Sequence, residues 1–314
     1  MLKKIVLILI SIALVAYLLR QIDVREVYRV VAAFPPGCLI GGFTLFVAGH
    51  LVRAYRFRVL LQGRVPLKGL VSIIAVQTAA AGLMPLRSGE FSLMYLLKSE
   101  HDVDYPVGAA MLILAKALDF VVVVTLFFVS FSAMPVVPEF FRALLPWAGG
   151  LFFLTVVSLF FMGRSREIYA RLPDFFKEGP LAESKLMAGV KNVLKGTEVI
   201  RSKRTLAASL LITAVLWALL YGSNFFVLWG VGLKLPLLEM VFITTSMSLF
   251  ANLPIHSPGA FGTTESFWTL LLIALGVSKS VGIATGFASH LVTIAFALVF
   301  MMYGARLLKK RRAA

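Results

Sequence analysis

Apolar residues fall in long unbroken blocks along the chain, and the blocks have two length classes. The longer ones lie at about 5–19, 37–58, 106–131, 144–163, 205–231 and 280–305, and they predict helices that cross a bilayer. The first is short, so its flanking Lys4 and Arg20 would have to snorkel toward the interfaces. The shorter blocks come in pairs. Gly69–Leu83 and Phe91–Leu97 flank the polar interruption Met84-Pro85-Leu86-Arg87-Ser88-Gly89-Glu90. As helices they would be about 22 Å and 10 Å long, too short to span a hydrocarbon core of about 30 Å. Together they predict a hairpin over 69–97 that dips into the membrane and returns, broken at Pro85 and Gly89. A second pair, 237–253 and 266–276, is joined by Leu253-Pro254-Ile255-His256-Ser257-Pro258-Gly259-Ala260-Phe261-Gly262-Thr263-Thr264-Glu265. It predicts a second hairpin over 237–276, although its first arm, about 25 Å long, could also span alone. The predicted class is an all-α polytopic membrane protein with about six transmembrane helices and two re-entrant helical hairpins.

Composition narrows this further. The 314 residues are 60% hydrophobic and 15% charged, and no alternating stretch suggests an outer-membrane barrel. The net charge of +16 does not point to nucleic acid, because the basic residues sit at the ends of apolar blocks, where they orient helices and touch anionic lipid. The single cysteine, Cys38, excludes an internal disulfide and leaves too few thiols for a metal cluster. No small-residue cleavage signal precedes Arg20, so the first block is expected to stay as an uncleaved helix.

Charge also orients the chain. If both hairpins return to the side they entered, one side collects 23 Lys and Arg and the other 6, which predicts both termini in the cytoplasm of a cell (inner or plasma) membrane. Arg87 and Lys116 are then left within the membrane. The organisation is a single membrane domain over 1–314: an N-terminal helix and loop (1–36), a first unit (37–163) with hairpin 69–97, a polar segment (164–204), a second unit (205–305) with hairpin 237–276, and a basic tail (306–314). In 164–204, Ile168, Tyr169, Leu172, Phe175 and Phe176 share one helical face, as do Leu186, Met187, Val190, Val193 and Leu194. That spacing suits helices lying on a membrane surface, or helices that cover the ends of others.

A shift of 174 residues aligns Val103-x-x-x-Val107-Gly108 with Val277-x-x-x-Val281-Gly282. It continues into two long helices, setting Lys116 against His290 and Asp119 against Thr293. Upstream, Met84-Pro85…Glu90 faces Leu253-Pro254…Glu265. On the predicted topology the two units are upside-down copies, an inverted repeat with broken helices at mid-membrane. Transporters carry that signature, with the binding site between the repeats.

Candidate chemistry gathers at the breaks. An ionised side chain in mid-helix costs around 2.5–3.5 kcal/mol on insertion scales, so intramembrane charge invites a functional reading. Arg87 and Glu90 lie three apart at the first break, and Lys116 and Asp119 lie three apart on one face of the following helix. Either pair could instead be a self-neutralised structural ion pair. The second break holds His256, Glu265, Gly259 and Gly262, with His290 in the next helix. Its glycines would expose backbone N–H groups at the start of arm 266–276, a place for a phosphate. His50 and His101 are expected to be bystanders. There is no P-loop, no H-E-x-x-H and no Ser/His/Asp arrangement, so neither ATP-driven pumping nor enzyme activity is expected, and no cofactor or metal is implied.

Three stretches resemble the transmembrane (flippase-like) domain of lysylphosphatidylglycerol synthases, which is also found as stand-alone membrane proteins. Arg53-Ala54-Tyr55-Arg56-Phe57-Arg58-Val59-Leu60-Leu61 looks like that family's basic-aromatic helix end, and Pro85-Leu86-Arg87-Ser88-Gly89-Glu90 matches its P-x-R-x-G-E tip. Ser257-Pro258-Gly259-Ala260-Phe261-Gly262-Thr263-Thr264-Glu265 is similar to its P-G-G-x-G-x-x-E tip. The resemblance implies movement of lipid between leaflets. There are departures: Ala115-Lys116-Ala117-Leu118-Asp119 stands where the family has E-R-x-x-D, His290 stands where arginine is common, and Ala260 replaces a glycine. The soluble aminoacyl-transfer domain of the full-length synthases does not follow, so lipid aminoacylation is not expected.

The resulting expectation is a lipid flippase or transporter for an anionic or lipid-linked polar headgroup. Arg87, Glu90, Lys116, Asp119, Glu265, His290, Gly259 and Gly262 are its candidate substrate-binding residues. Arg and Lys would attract the headgroup, the carboxylates would balance them when the site is empty, and His290 could respond to protonation. The alternative is a non-transporting adaptor for a lipid- or envelope-modifying enzyme, docking through 164–204. A homodimer is compatible with the sequence but not required by it.

Overall fold

A computed structural model describes residues 24–132, 203–253 and 255–312, with scattered positions between 142 and 157. The predicted crossing 5–19 and the polar segment 164–204 lie outside the described residues, and 144–163 is described only at scattered positions. Among the described residues the ordered elements are helices and no strand occurs. They are α1 (Val24–Ala32), α2 (Pro36–Leu60), α3 (Leu67–Leu83), a first 3-10 tip (Pro85–Phe91), α4 (Ser92–His101) and α5 (Tyr105–Ser132). After the polar segment come α6 (Lys203–Gly230), α7 (Leu237–Ala251), a second 3-10 tip (Pro258–Ala260), α8 (Thr263–Ala274) and α9 (Lys279–Arg312).

Four helices, Pro36–Leu60, Tyr105–Ser132, Arg204–Gly230 and Lys279–Lys309, are long and apolar enough to cross a membrane, and they coincide with four of the predicted crossings. Only 22–33% of each apolar window is buried within the chain, so the remainder is matched to lipid rather than water. Between them lie the shorter apolar helices α3 and α7. The chain is a multi-pass membrane protein.

Proline and glycine set the breaks. Pro35 and Pro36 open α2, and Pro66 precedes α3, where a missing N–H costs nothing. At the first tip Leu86 and Arg87 both take φ of 54°, a left-handed conformation that strains side chains with a Cβ. The turn folds back so tightly that a Cβ on Gly89 would stand 2.0 Å from the Ala80 carbonyl oxygen. Only glycine fits there.

Small residues let the crossing helices approach. Along the α2–α6 contact, Gly49 lies against Leu220 and Gly222 against Leu45, and the Ser223 hydroxyl donates to the Gly42 carbonyl at 2.8 Å. α9 packs on α3, with Gly304 against Ala75 and Ser72. α7 packs on α5 and α8 on α9. One apolar core unites them, and the Phe46, Phe296 and Phe300 rings meet edge-on or tilted within it.

Candidate functional site

The two tips meet. The Leu86 N–H donates to the His256 carbonyl at 3.0 Å, and Arg87 Nη1 donates to the Ala251 carbonyl at the end of α7. From this junction Arg87 Nε reaches Glu90 Oε1 at 2.8 Å, and Lys116 Nζ from α5 reaches the same oxygen at 2.6 Å. Lys116 also donates to Asn252 Oδ1 at 2.9 Å. The first tip therefore contains the local Arg87–Glu90 pair, but a third element is tied into it.

Lys116 and Asp119 do not pair with each other. Asp119 accepts two bonds from Arg56 of α2, Nη1 to Oδ1 at 2.6 Å and Nη2 to Oδ2 at 3.2 Å, and one from Trp217 Nε1 at 3.0 Å. Arg56 Nη1 also meets Thr213 Oγ1 at 2.9 Å, and its side chain is 1% exposed. This bidentate, buried arrangement joins α2, α5 and α6.

Two adjoining cavities open on these groups. The outer one, about 550 Å³, shares Arg87, Glu90, Lys116, Asp119, Trp217 and Asn252 with the inner one, and the rest of its wall is apolar, including Leu86, Phe91 and Ile113. Those three are 40%, 62% and 47% exposed, so the outer cavity opens onto an exposed apolar surface. The inner cavity, about 190 Å³, adds Arg53, Arg56, Gln77, Thr78 and Ser248.

Glu265 is fully buried near the start of α8. Its Oε2 accepts from the Gly262 N–H at 2.6 Å and its Oε1 lies 2.6 Å from His290 Nδ1. The expected phosphate seat on this helix start is therefore filled by the chain's own carboxylate. Gly262, at φ 82°, supplies the turn and that N–H, while Gly259, at φ 66°, shapes the tip; neither lines a described cavity. His256 is buried, with Nε2 3.1 Å from the Phe250 carbonyl and Nδ1 3.2 Å from Thr263 Oγ1. A third cavity of about 220 Å³ takes His290, Thr244, Thr264, Ser289 and Thr293 into its wall. Ser248 and Ala251 line both this cavity and the inner one, so α7 forms the partition.

The same local geometry occurs twice. Tip glutamates Glu90 and Glu265 each meet the residue that the 174-residue shift aligns, Lys116 and His290, at 2.6 Å. Gly108 packs on Met94 and Gly282 on Thr269, each four residues after its tip glutamate. The loops close alike: the Val103 N–H donates to the Leu97 carbonyl at 3.1 Å, and the Val277 N–H to the Leu272 carbonyl at 2.9 Å. Asp102 (φ 54°) and Gly276 (φ 81°) turn the chain at matching positions.

The sequence marks Arg53 and Arg56 only as part of a basic-aromatic helix end and does not single out Gln77, Trp217 or Asn252. Three arginines, Arg53, Arg56 and Arg58, and Tyr55 inside the last third of a predicted crossing are the available signal, since charge there must find a partner. His50 is buried, with Nδ1 2.8 Å from the Phe46 carbonyl, a packing residue as expected.

The model of the family described as the lysylphosphatidylglycerol synthase TM region matches residues 4–300. No curated protein and no solved structure matches the chain.

Proposed function

Because the chain belongs to the lysylphosphatidylglycerol synthase TM-region family, we propose that it moves a lipid with an anionic or lipid-linked polar headgroup between the leaflets of the membrane. The carrying observation is the outer cavity, where a charged floor of Arg87, Glu90, Lys116 and Asp119 meets an exposed apolar wall. An amphiphile can hold its headgroup on the first and its chains against the second, as a binding site for lipid requires.

In this reading α3–α4 and α7–α8 are re-entrant hairpins, and the two units are an inverted repeat. The doubled tip–helix contact, the doubled glycine approach and the doubled loop closure support it. Each hairpin would then open the site to one leaflet. The excess of Lys and Arg, 21 against 6 once the cavity residues Arg53 and Arg56 are set aside from the 23, supports a cell-membrane orientation with both ends cytoplasmic. The chain's partners are the lipids themselves, and it works as a transporter rather than an enzyme. The test is headgroup movement in proteoliposomes. Arg87→Ala with Lys116→Ala should abolish movement while the chain still inserts; undiminished movement overturns the mechanism.

A further inference from the structure

The inner cavity carries more positive charge than its carboxylates neutralise. Arg53, Arg56, Arg87 and Lys116 face it with only Glu90 and Asp119, four cations against two anions, a formal +2. Asp119 is taken by Arg56, and Arg87 and Lys116 share the single oxygen Glu90 Oε1. No carboxylate among the described residues forms an ion pair with Arg53, and its buried Nε has no hydrogen-bond partner. Three more buried atoms on this wall are unpartnered, Arg56 Nε, Gln77 Oε1 and Thr78 Oγ1, and Gln77 is only 8% exposed. Buried polar groups left without partners are costly, and a cluster of them around one cavity calls for a ligand that satisfies them together.

The ligand must bring about two negative charges and several acceptor oxygens. A phosphate monoester does so: it is close to dianionic at neutral pH, and its oxygens suit guanidinium forks, the Thr78 hydroxyl and the Gln77 amide once that amide turns its NH2 toward the cavity. Size agrees. The inner cavity of 190 Å³ has room for about six waters' share of liquid volume, enough for a terminal phosphate and not for a large group beyond it. The outer cavity of 550 Å³ leads from it to the exposed Phe91 and Ile113.

We propose that the inner cavity binds the terminal phosphomonoester of a lipid, with Arg53 as its uncommitted cation and the lipid chains lying in the outer cavity. This rests on the transport reading above, and it deepens that reading by naming the headgroup chemistry.

The test uses the full chain in detergent, with Trp217 fluorescence following titration by dioctanoyl phosphatidic acid, dioctanoyl phosphatidylglycerol or inorganic phosphate. The monoester lipid should bind at least about tenfold tighter than the diester or the free ion, the preference expected for a second charge in a site shielded from water. Arg53→Gln should reduce monoester binding about tenfold. Gln77→Glu, which adds a carboxylate to the wall, should do the same and carries the test if the arginine variant does not fold. Equal binding of monoester and diester, or full monoester binding by Gln77→Glu, overturns the assignment. Inorganic phosphate binding as tightly as the lipid overturns the lipid source. Lipid movement that needs Arg87 and Lys116 yet ignores monoester against diester removes this inference alone. Monoester preference without any movement removes the transport reading alone.

Discussion

The first unit and the second use the same scaffold to hold different chemistry. In each, a tip glutamate contacts a side chain from the following long helix at 2.6 Å, yet one partner is Lys116 and the other His290. One turn further on, the first helix carries Asp119, bound to Arg56 and Trp217, while the second carries Thr293, whose hydroxyl only returns to its own helix at Ser289. The charges of the first unit thus form a network over α2 and α5 that reaches Thr213 and Trp217 of α6 and lines two cavities. The second is a carboxylate–histidine pair whose His290 lines a mainly apolar cavity that also carries Thr244, Ser248, Thr264, Ser289 and Thr293. The lesson is that a shared local geometry does not carry charge with it: the cluster of Arg56, Arg87, Lys116, Glu90 and Asp119 gathers around the first tip, and the second tip holds one carboxylate–histidine pair.

The largest expected effect breaks this comparison at its deepest point. Asp119→Ala leaves the Arg56 guanidinium buried without its carboxylate, and losing one partner of such a pair costs about 3–5 kcal/mol. Thr293→Ala at the aligned position removes one intrahelical hydrogen bond, worth about 1 kcal/mol. Thermal unfolding in detergent should separate the two variants clearly. Similar midpoints would mean that Arg56 finds another partner and the network is not what joins α2 to α5.

The tips give the next largest contrast. Gly89→Ala would drive a Cβ into the Ala80 carbonyl, and overpacking of this kind costs about 1–3 kcal/mol. At the second tip Ala260 already bears φ of 56°, so Ala260→Gly should relieve strain and raise stability by up to about 1 kcal/mol. Opposite signs in the same unfolding assay would sharpen the asymmetry. A stabilised Gly89→Ala would show that the first tip is not closed onto α3.

The blocks of apolar residues made four crossings and the short arms legible, because length against bilayer thickness is a strong constraint. The tips were legible as well, since proline and glycine clustered at Pro85 and Gly89 and at Pro258, Gly259 and Gly262 weaken a helix together. Side-chain partnerships were not. Spacing of three suggested that Lys116 would meet Asp119, but each found a stronger partner on another element, Glu90 and Arg56. Arg56 was hidden for the same reason: a basic residue near a helix end reads as a snorkelling charge until tertiary packing closes over it. The seat for an anion at the start of α8 failed because Glu265 reaches back to Gly262, a contact within the turn that the bare glycine pattern does not specify.

A smaller effect comes from making the first unit resemble the second. Lys116→His keeps a nitrogen near Glu90 but ties its charge to pH, because histidine is a cation in acid and neutral in alkali. Headgroup movement should then fall by about tenfold as pH is raised through the neutral range, the size of effect typical for one lost charge contact. The parent chain, with lysine at 116, should lack that fall over the same range. A pH-independent variant would mean that Lys116 contributes shape rather than charge.

The smallest effect lies where the two loops differ, at Asp102 against Gly276. Lys98 Nζ donates to Asp102 Oδ1 at 2.7 Å and to Asp104 Oδ1 at 3.1 Å, and the aspartate side chains are 91% and 74% exposed. The hydrogen bond from Lys98 holds the Asp102 carboxyl below its ordinary value. A carboxyl depressed in the folded chain adds stability above its unfolded pKa and loses it as pH falls through the lowered one. Asp102→Asn should therefore lower the unfolding midpoint slightly at neutral pH, and the difference should vanish in acid and in high salt, since an exposed pair is well screened. Asp102→Gly, which copies the second loop, should gain from the left-handed turn what it loses from the pair. A midpoint that falls as far with glycine as with asparagine would mean that the side chain of Asp102, rather than its backbone conformation, closes the first loop.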